Sequence, residues 1–162
     1  MAVLTVLEDD GDFIRGLGYV TMYSAWTEND VDDMLCQLDS IKSFDENKQA
    51  WPISRKLKHA AKLVRKLDCV ELNELPDTLE KGIELFNKRN LFIHGTISLA
   101  IEDFLLVKPG RPKEPLKKVT SKDYYDLANE FCSYRVLILD PMYETIPRAV
   151  LKCTGVFPKR WC

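Results

Sequence analysis

The sequence predicts a mainly α fold, a small bundle of four to five helices carrying one short β-hairpin near residues 96–119. Three observations predict it. Apolar residues recur at intervals of three and four along most of the chain, one stretch alternates strictly, and proline or glycine stands where the periodic stretches end. A chain of 162 residues, 46% hydrophobic and 30% charged, closes one ordinary core without metal or disulfide staples. It is therefore read as a single domain over 1–162, with a C-terminal tail from about 141.

The first helix is expected from Phe13 to Ile41, on the stripe Phe13, Leu17, Val20, Tyr23 and then Val31, Met34, Leu35, Leu38. Trp26 to Asp30 is read as a polar turn of a continuous helix rather than a break, and Ser43 to Gln49 as a connector. Pro52 suits a first helical position, and Ile53, Leu57, Ala60, Ala61 and Val64 form the buried stripe of a second helix. Arg55, Lys58, His59, Lys62 and Lys66 occupy its other side. A third helix begins at Leu75-Pro76-Asp77, where Asp77 and Glu80 make a capping-box pattern. It follows Leu79, Ile83, Phe86, Asn90 and Ile93 to Gly95, which is expected to end it in the left-handed conformation.

Ile97, Leu99 and Ile101 then alternate with Ser98 and Ala100, and Phe104 to Val107 leads into Pro109-Gly110-Arg111-Pro112. That pattern predicts the hairpin, with a basic tip. Thr120-Ser121-Lys122-Asp123 caps a last long helix through Tyr124, Leu127, Phe131, Tyr134 and Ile138, and Pro141 stops it. The tail carries Ile146, Val150, Leu151, Val156, Phe157 and Trp161 but no clear period.

Net charge is -2, yet its distribution is uneven. Residues 1–46 hold eleven acids against Arg15 and Lys42, whereas residues 48–66 hold seven bases and no acid. The second helix is thus a concentrated basic surface in a mildly acidic protein. No apolar run approaches the roughly 18 residues of a membrane-spanning helix, so no membrane partner is expected. Met1 to Leu7 has no preceding base and runs at once into Glu8, Asp9 and Asp10, which is wrong for a signal peptide and predicts a cytoplasmic protein. Five cysteines at long, irregular gaps, with no C-x-x-C pair, are read as reduced thiols rather than as a disulfide framework or zinc site. Neither a metal nor a cofactor is expected, since no ligand cluster asks for one.

With two histidines in the chain, the search for reactive groups is short. His59, four residues after Arg55, reads as a surface residue. His94 ends the third helix in Lys88-Arg89-Asn90-Leu91-Phe92-Ile93-His94-Gly95. Asn90 and His94 lie on one face, while Arg89 sits about 140° round from His94 and must curl to share a cleft with it. Such a trio suits RNA cleavage without metal. A histidine moves protons near neutral pH, and a guanidinium matches the charge building up on a phosphate. Asn90 is placed to orient the imidazole or a phosphate oxygen.

In these residues the chain resembles the HEPN superfamily (higher eukaryotes and prokaryotes nucleotide-binding). The mark of those domains is an arginine, usually followed by a polar residue, with a histidine four to six positions on near a helix end. Arg89, Asn90 and His94 match it, as does Gly95 after it. A long first helix with an acid after apolar turns, a basic second helix, the motif helix, hairpin and closing helix extend the likeness over residues 12–140. The resemblance implies a helical bundle pairing into a homodimer, with two Arg89 and His94 sets meeting across the interface. It further implies metal-independent endoribonuclease activity by attack of the 2′-hydroxyl, in a toxin, defence or RNA-processing setting. An antitoxin or regulatory protein is the partner it suggests. Some such domains are inactive and only bind nucleotide, RNA or protein, which is the alternative. The resemblance also places an acid of the first helix at the cleft, carried here by Glu28, with Asp30 or Asp32 as alternatives.

RNA phosphates are expected along Arg55, Lys58, Lys62 and Lys66, beside Lys88, and at the hairpin tip with Lys108, Arg111 and Lys113. Trp51, Tyr124 and Tyr125 are expected to pack in core or interface, with base stacking as the alternative.

Overall fold

A computed structural model describes residues 6–101, 103–109 and 115–158. The fold is mainly helical: α1 (Phe13–Gln37), a one-turn α2 (Glu46–Gln49), α3 (Ile53–Val64), α4 (Leu75–His94), α5 (Ser121–Asp140) and α6 (Ile146–Thr154). A small antiparallel sheet, β1 (Thr96–Ile101), β2 (Phe104–Lys108) and β3 (Lys117–Val119), stands between α4 and α5 in that strand order. β1 and β2 form a hairpin that reverses between Ile101 and Phe104, with Thr96 opposite Lys108, so the turn is not at the expected basic tip; the segment carrying that tip instead joins β2 to β3, a third strand. Arg111 and Lys113 of the expected basic tip lie outside the described residues.

The described residues divide into two compact units. One combines the chain through Ala25 with Leu85–Ser133, and the other combines Trp26–Glu84 with the chain from Tyr134. Helices α1, α4 and α5 contribute residues to both.

The first unit is held by aromatic packing. Phe86 meets Phe131 edge-on with ring centroids 5.1 Å apart, and Phe92 tilts against Tyr124 at 4.8 Å. Tyr124 and Tyr125 are buried, so both belong to the core. Pairs of this kind add about 0.5–1.5 kcal/mol beyond the area they bury. The Tyr125 hydroxyl donates to Asp10 at 2.6 Å, and the Asn129 side chain exchanges hydrogen bonds with the Leu7 backbone. Burial and the Asp10 carboxylate push the Tyr125 hydroxyl up to about 12. At the start of α5, Asp123 accepts from the backbone and hydroxyl of Thr120, both at 2.7 Å, as the capping pattern predicts.

In the second unit, Val31, Met34, Leu35 and Leu38 of α1, the α3 stripe Leu57, Ala60, Ala61 and Val64, and Leu75 and Leu79 of α4 are all buried. Each such Leu or Val contributes about 1.5–3 kcal/mol by leaving water. Two ion pairs lie among them: Arg135 bonds Asp30 at 2.6 and 3.2 Å, and Lys56, with 8% of its side chain exposed, bonds Asp32 at 2.8 Å. One of the seven bases of the cationic segment is therefore turned inward onto the acidic first helix.

Several expectations need correction. Helix α4 begins at Leu75, so Asp77 lies inside its first turn rather than at the N-cap, and Asp77 and Glu80 pair with Arg65 at 3.1 and 2.7 Å instead of closing a capping box. Gly95 follows α4 without a positive φ. Its lack of a side chain serves close approach, since a Cβ there would run into Val107 and the Leu91 carbonyl. The left-handed helix end belongs to Gly155, after α6. Pro141 ends the α-type ladder of α5 but not its helical path, which continues through a π-type turn, Pro141–Thr145, into α6. The tail is thus a helix that buries Ile146, Ala149 and Val150. Cys36 is disulfide-bonded, against the expectation of thiols throughout, while Cys69, Cys132 and Cys153 are free. Spacing along a chain does not show which distant cysteines a fold brings together. Disulfides are uncommon in a reducing cytosol, so the cysteines lend the cytoplasmic expectation no support. Among the described residues no helix is long and apolar enough to cross a membrane.

Candidate functional site

The last two turns of α4 are seated by their aromatic residues. Phe86 on Phe131 and Phe92 on Tyr124 fix which way the helix faces, and Asn90 and His94 are left exposed one turn apart. The helix ends at His94, and the Gly95 amide bonds the Leu91 carbonyl at 3.0 Å before the chain enters β1. Arg89 is half-buried, with Nε enclosed and its guanidinium 5.3 Å from the Phe86 ring centroid. Helix geometry puts it on a different side of α4 from the Asn90–His94 face. Lys88 is exposed and paired with Glu130 of α5 at 2.7 Å.

The remaining predicted residues fall elsewhere. Glu28 is half-buried on the part of α1 that belongs to the second unit. Its two alternatives are committed to structural pairs, Asp30 with Arg135 and Asp32 with Lys56. Asp33 beside them has its carboxyl held above the usual range by burial, then by Asp30 and Asp32. Arg55, Lys58 and Lys62 stand exposed on α3, and Lys66 follows in the 3-10 turn Arg65–Leu67.

The basic face is more built than its sequence suggests. The Arg55 guanidinium lies over the indole of Trp51, 3.8 Å from the ring centroid, and His59 meets the same ring edge-on at 5.3 Å. Nε2 of His59 is enclosed without a hydrogen-bond partner. Burial first, and then Lys42, Lys48, Lys62 and Arg55, hold the His59 imidazole below the ordinary histidine value. Those four cations come from the connector after α1, from α2 and from α3. Sequence reasoning left Lys42 and Lys48 out of the basic face, read His59 as a surface residue, and expected Trp51 to pack in core or interface with base stacking as the alternative. The available signal was the four-residue spacing of Arg55 and His59 on one helix face, with Trp51 just before the helix start.

Among the described residues no group of three His, Cys, Asp or Glu side chains is placed to hold a metal. The chain matches no family model, no curated protein and no solved structure.

Proposed function

We propose that this protein is a HEPN-type endoribonuclease that cleaves RNA without a metal. The observation that carries the reading is the exposed face at the end of α4, where Asn90 and His94 stand one turn apart. The 2′-hydroxyl attacks the adjacent phosphorus as the bond to the 5′ oxygen breaks, leaving a 2′,3′-cyclic phosphate and a 5′-hydroxyl. His94 takes the 2′ proton or supplies the one that the leaving oxygen gains, a role worth about 10²–10⁴-fold. Arg89 balances charge on the phosphate, and Asn90 orients the imidazole. Pairing of two copies near the α4 end supplies the second imidazole and guanidinium, because one helix does not turn Arg89 and His94 to the same side. The exposed basic residues of α3 are available to RNA phosphates.

The test is cleavage of single-stranded RNA in EDTA. His94→Ala is expected to lose activity by about 10²–10⁴-fold while remaining folded. Full activity in that variant contradicts the reading.

A second reading keeps the bundle and its RNA affinity without cleavage. The enclosed Nε of Arg89 and the seat of its guanidinium against Phe86 favour it. Purified wild-type protein that binds RNA but never cuts it decides for this reading.

A further inference from the structure

We propose that Arg55 and His59, both seated on Trp51, form with Lys42, Lys48 and Lys62, whose charge reaches His59, a phosphate clamp for an RNA strand, with His59 making its grip pH-dependent. The clamp draws on the RNA-binding reading of α3 for its ligand, but it does not require that His94 cleave.

The geometry supports it on several counts. Stacking on Trp51 holds the Arg55 guanidinium flat while leaving its in-plane N–H donors free to fork onto a phosphate, which a flexible lysine cannot match. Cations from three separate segments converge on one imidazole, an arrangement that is self-repulsive without an anion. Asp45, paired with Lys48 at 2.6 Å, neutralises that lysine in part and leaves Lys42, Arg55 and Lys62 to meet a ligand. The orphaned Nε2 of His59 adds a buried polar atom that the protein itself does not satisfy. Arg55 to Lys62 spans about 10 Å of helix axis, longer than one phosphate group, which favours a strand over a mononucleotide.

The pH dependence follows from the surroundings of His59. Burial first, and then Lys42, Lys48, Lys62 and Arg55, hold its imidazole below the ordinary histidine value, while its ring packs edge-on against Trp51. A phosphodiester brought among those cations offsets their field and favours the imidazolium. The phosphodiester keeps its own charge across this range, so any tightening on acidification belongs to the protein.

The test is fluorescence anisotropy of a labelled 12-nucleotide single-stranded RNA on the full chain in EDTA, at pH 5.5 and 7.5 and over a salt series. Wild type is expected to bind about five-fold more tightly at pH 5.5. His59→Gln is expected to lose the acid gain, binding with the same affinity at pH 5.5 and 7.5. Arg55→Gln is expected to weaken binding about tenfold and to flatten the salt slope by about 0.7, the value of one single-strand phosphate contact. Arg55→Lys should keep the slope and lose most of the affinity. Circular dichroism verifies the fold of each variant. Folded Arg55→Gln and His59→Gln proteins that bind like wild type at both pH values overturn the clamp, as does wild type with no RNA affinity. Competition by inorganic phosphate or ATP as effective as that by RNA, per phosphate, replaces the strand with a single-phosphate ligand and overturns that part. Cleavage by His94 is read in a separate assay, so the two proposals fail independently.

Discussion

The end of α4 and the outer face of α3 are built by opposite means. At the end of α4 a contiguous run, Arg89 to Gly95, carries the whole candidate chemistry, and buried rings set its orientation. On α3 the candidate site is a convergence: Lys42, Lys48 and Lys62 are unremarkable singly and become a field only when the fold brings their charge to bear on His59. A motif is read by residue identity, whereas a charge field is read only once distances are known. In our proposals the first region makes and breaks bonds and the second holds a strand.

Four perturbations break or sharpen that contrast. The largest effect is His94→Ala, expected to lower cleavage about 10²–10⁴-fold with RNA affinity intact in an anisotropy titration. Next comes the seat of α4 itself. A Cβ at Gly82 would fall 2.6 Å from Cζ of the buried Tyr134 ring and closer still to its hydroxyl. Gly82→Ala should therefore cost about 1–3 kcal/mol by overpacking, measured by urea denaturation, and reduce activity only through the folded fraction. Arg55→Gln, at about tenfold in binding, should leave stability nearly unchanged because the residue is exposed.

The smallest effect is a pH trend. The folded His59 value is depressed, so the unfolded chain takes up this proton more readily. The contribution is present above the ordinary histidine value of about 6.5 and is lost as pH falls towards the folded value. Melting temperatures of wild type and His59→Gln should run parallel above neutrality and converge or cross on acidification, as wild type alone pays this charge. A constant gap down to pH 5 contradicts the placement of His59 among cations.

Much of the architecture was legible because periodicity and punctuation agreed. The continuous α1 across Trp26 to Asp30, the α3 stripe, the hairpin and the Thr120–Asp123 cap all follow from local pattern. Where reading failed, a distant partner intervened. Arg65 took the carboxylates expected to cap α4, and Val107 made Gly95 necessary for room rather than for handedness. Ile146, Ala149 and Val150 showed no clear period in a nine-residue helix that Pro141 seemed to forbid, and a π-type turn resolved that conflict. Of the candidate site, Asn90 and His94 on one face were foreseeable from four-residue spacing. The half-burial of Arg89 and the inward turn of Lys56 were not, since side-chain burial depends on what packs above the helix.

The division of labour between the two regions is tested most directly by steady-state RNA cleavage in EDTA with wild type, His94→Ala and Arg55→Gln measured side by side. The account predicts a fall in kcat with KM unchanged for His94→Ala, and a rise in KM with kcat unchanged for Arg55→Gln. Unaltered kcat in His94→Ala, or a loss of kcat rather than KM in Arg55→Gln, contradicts it.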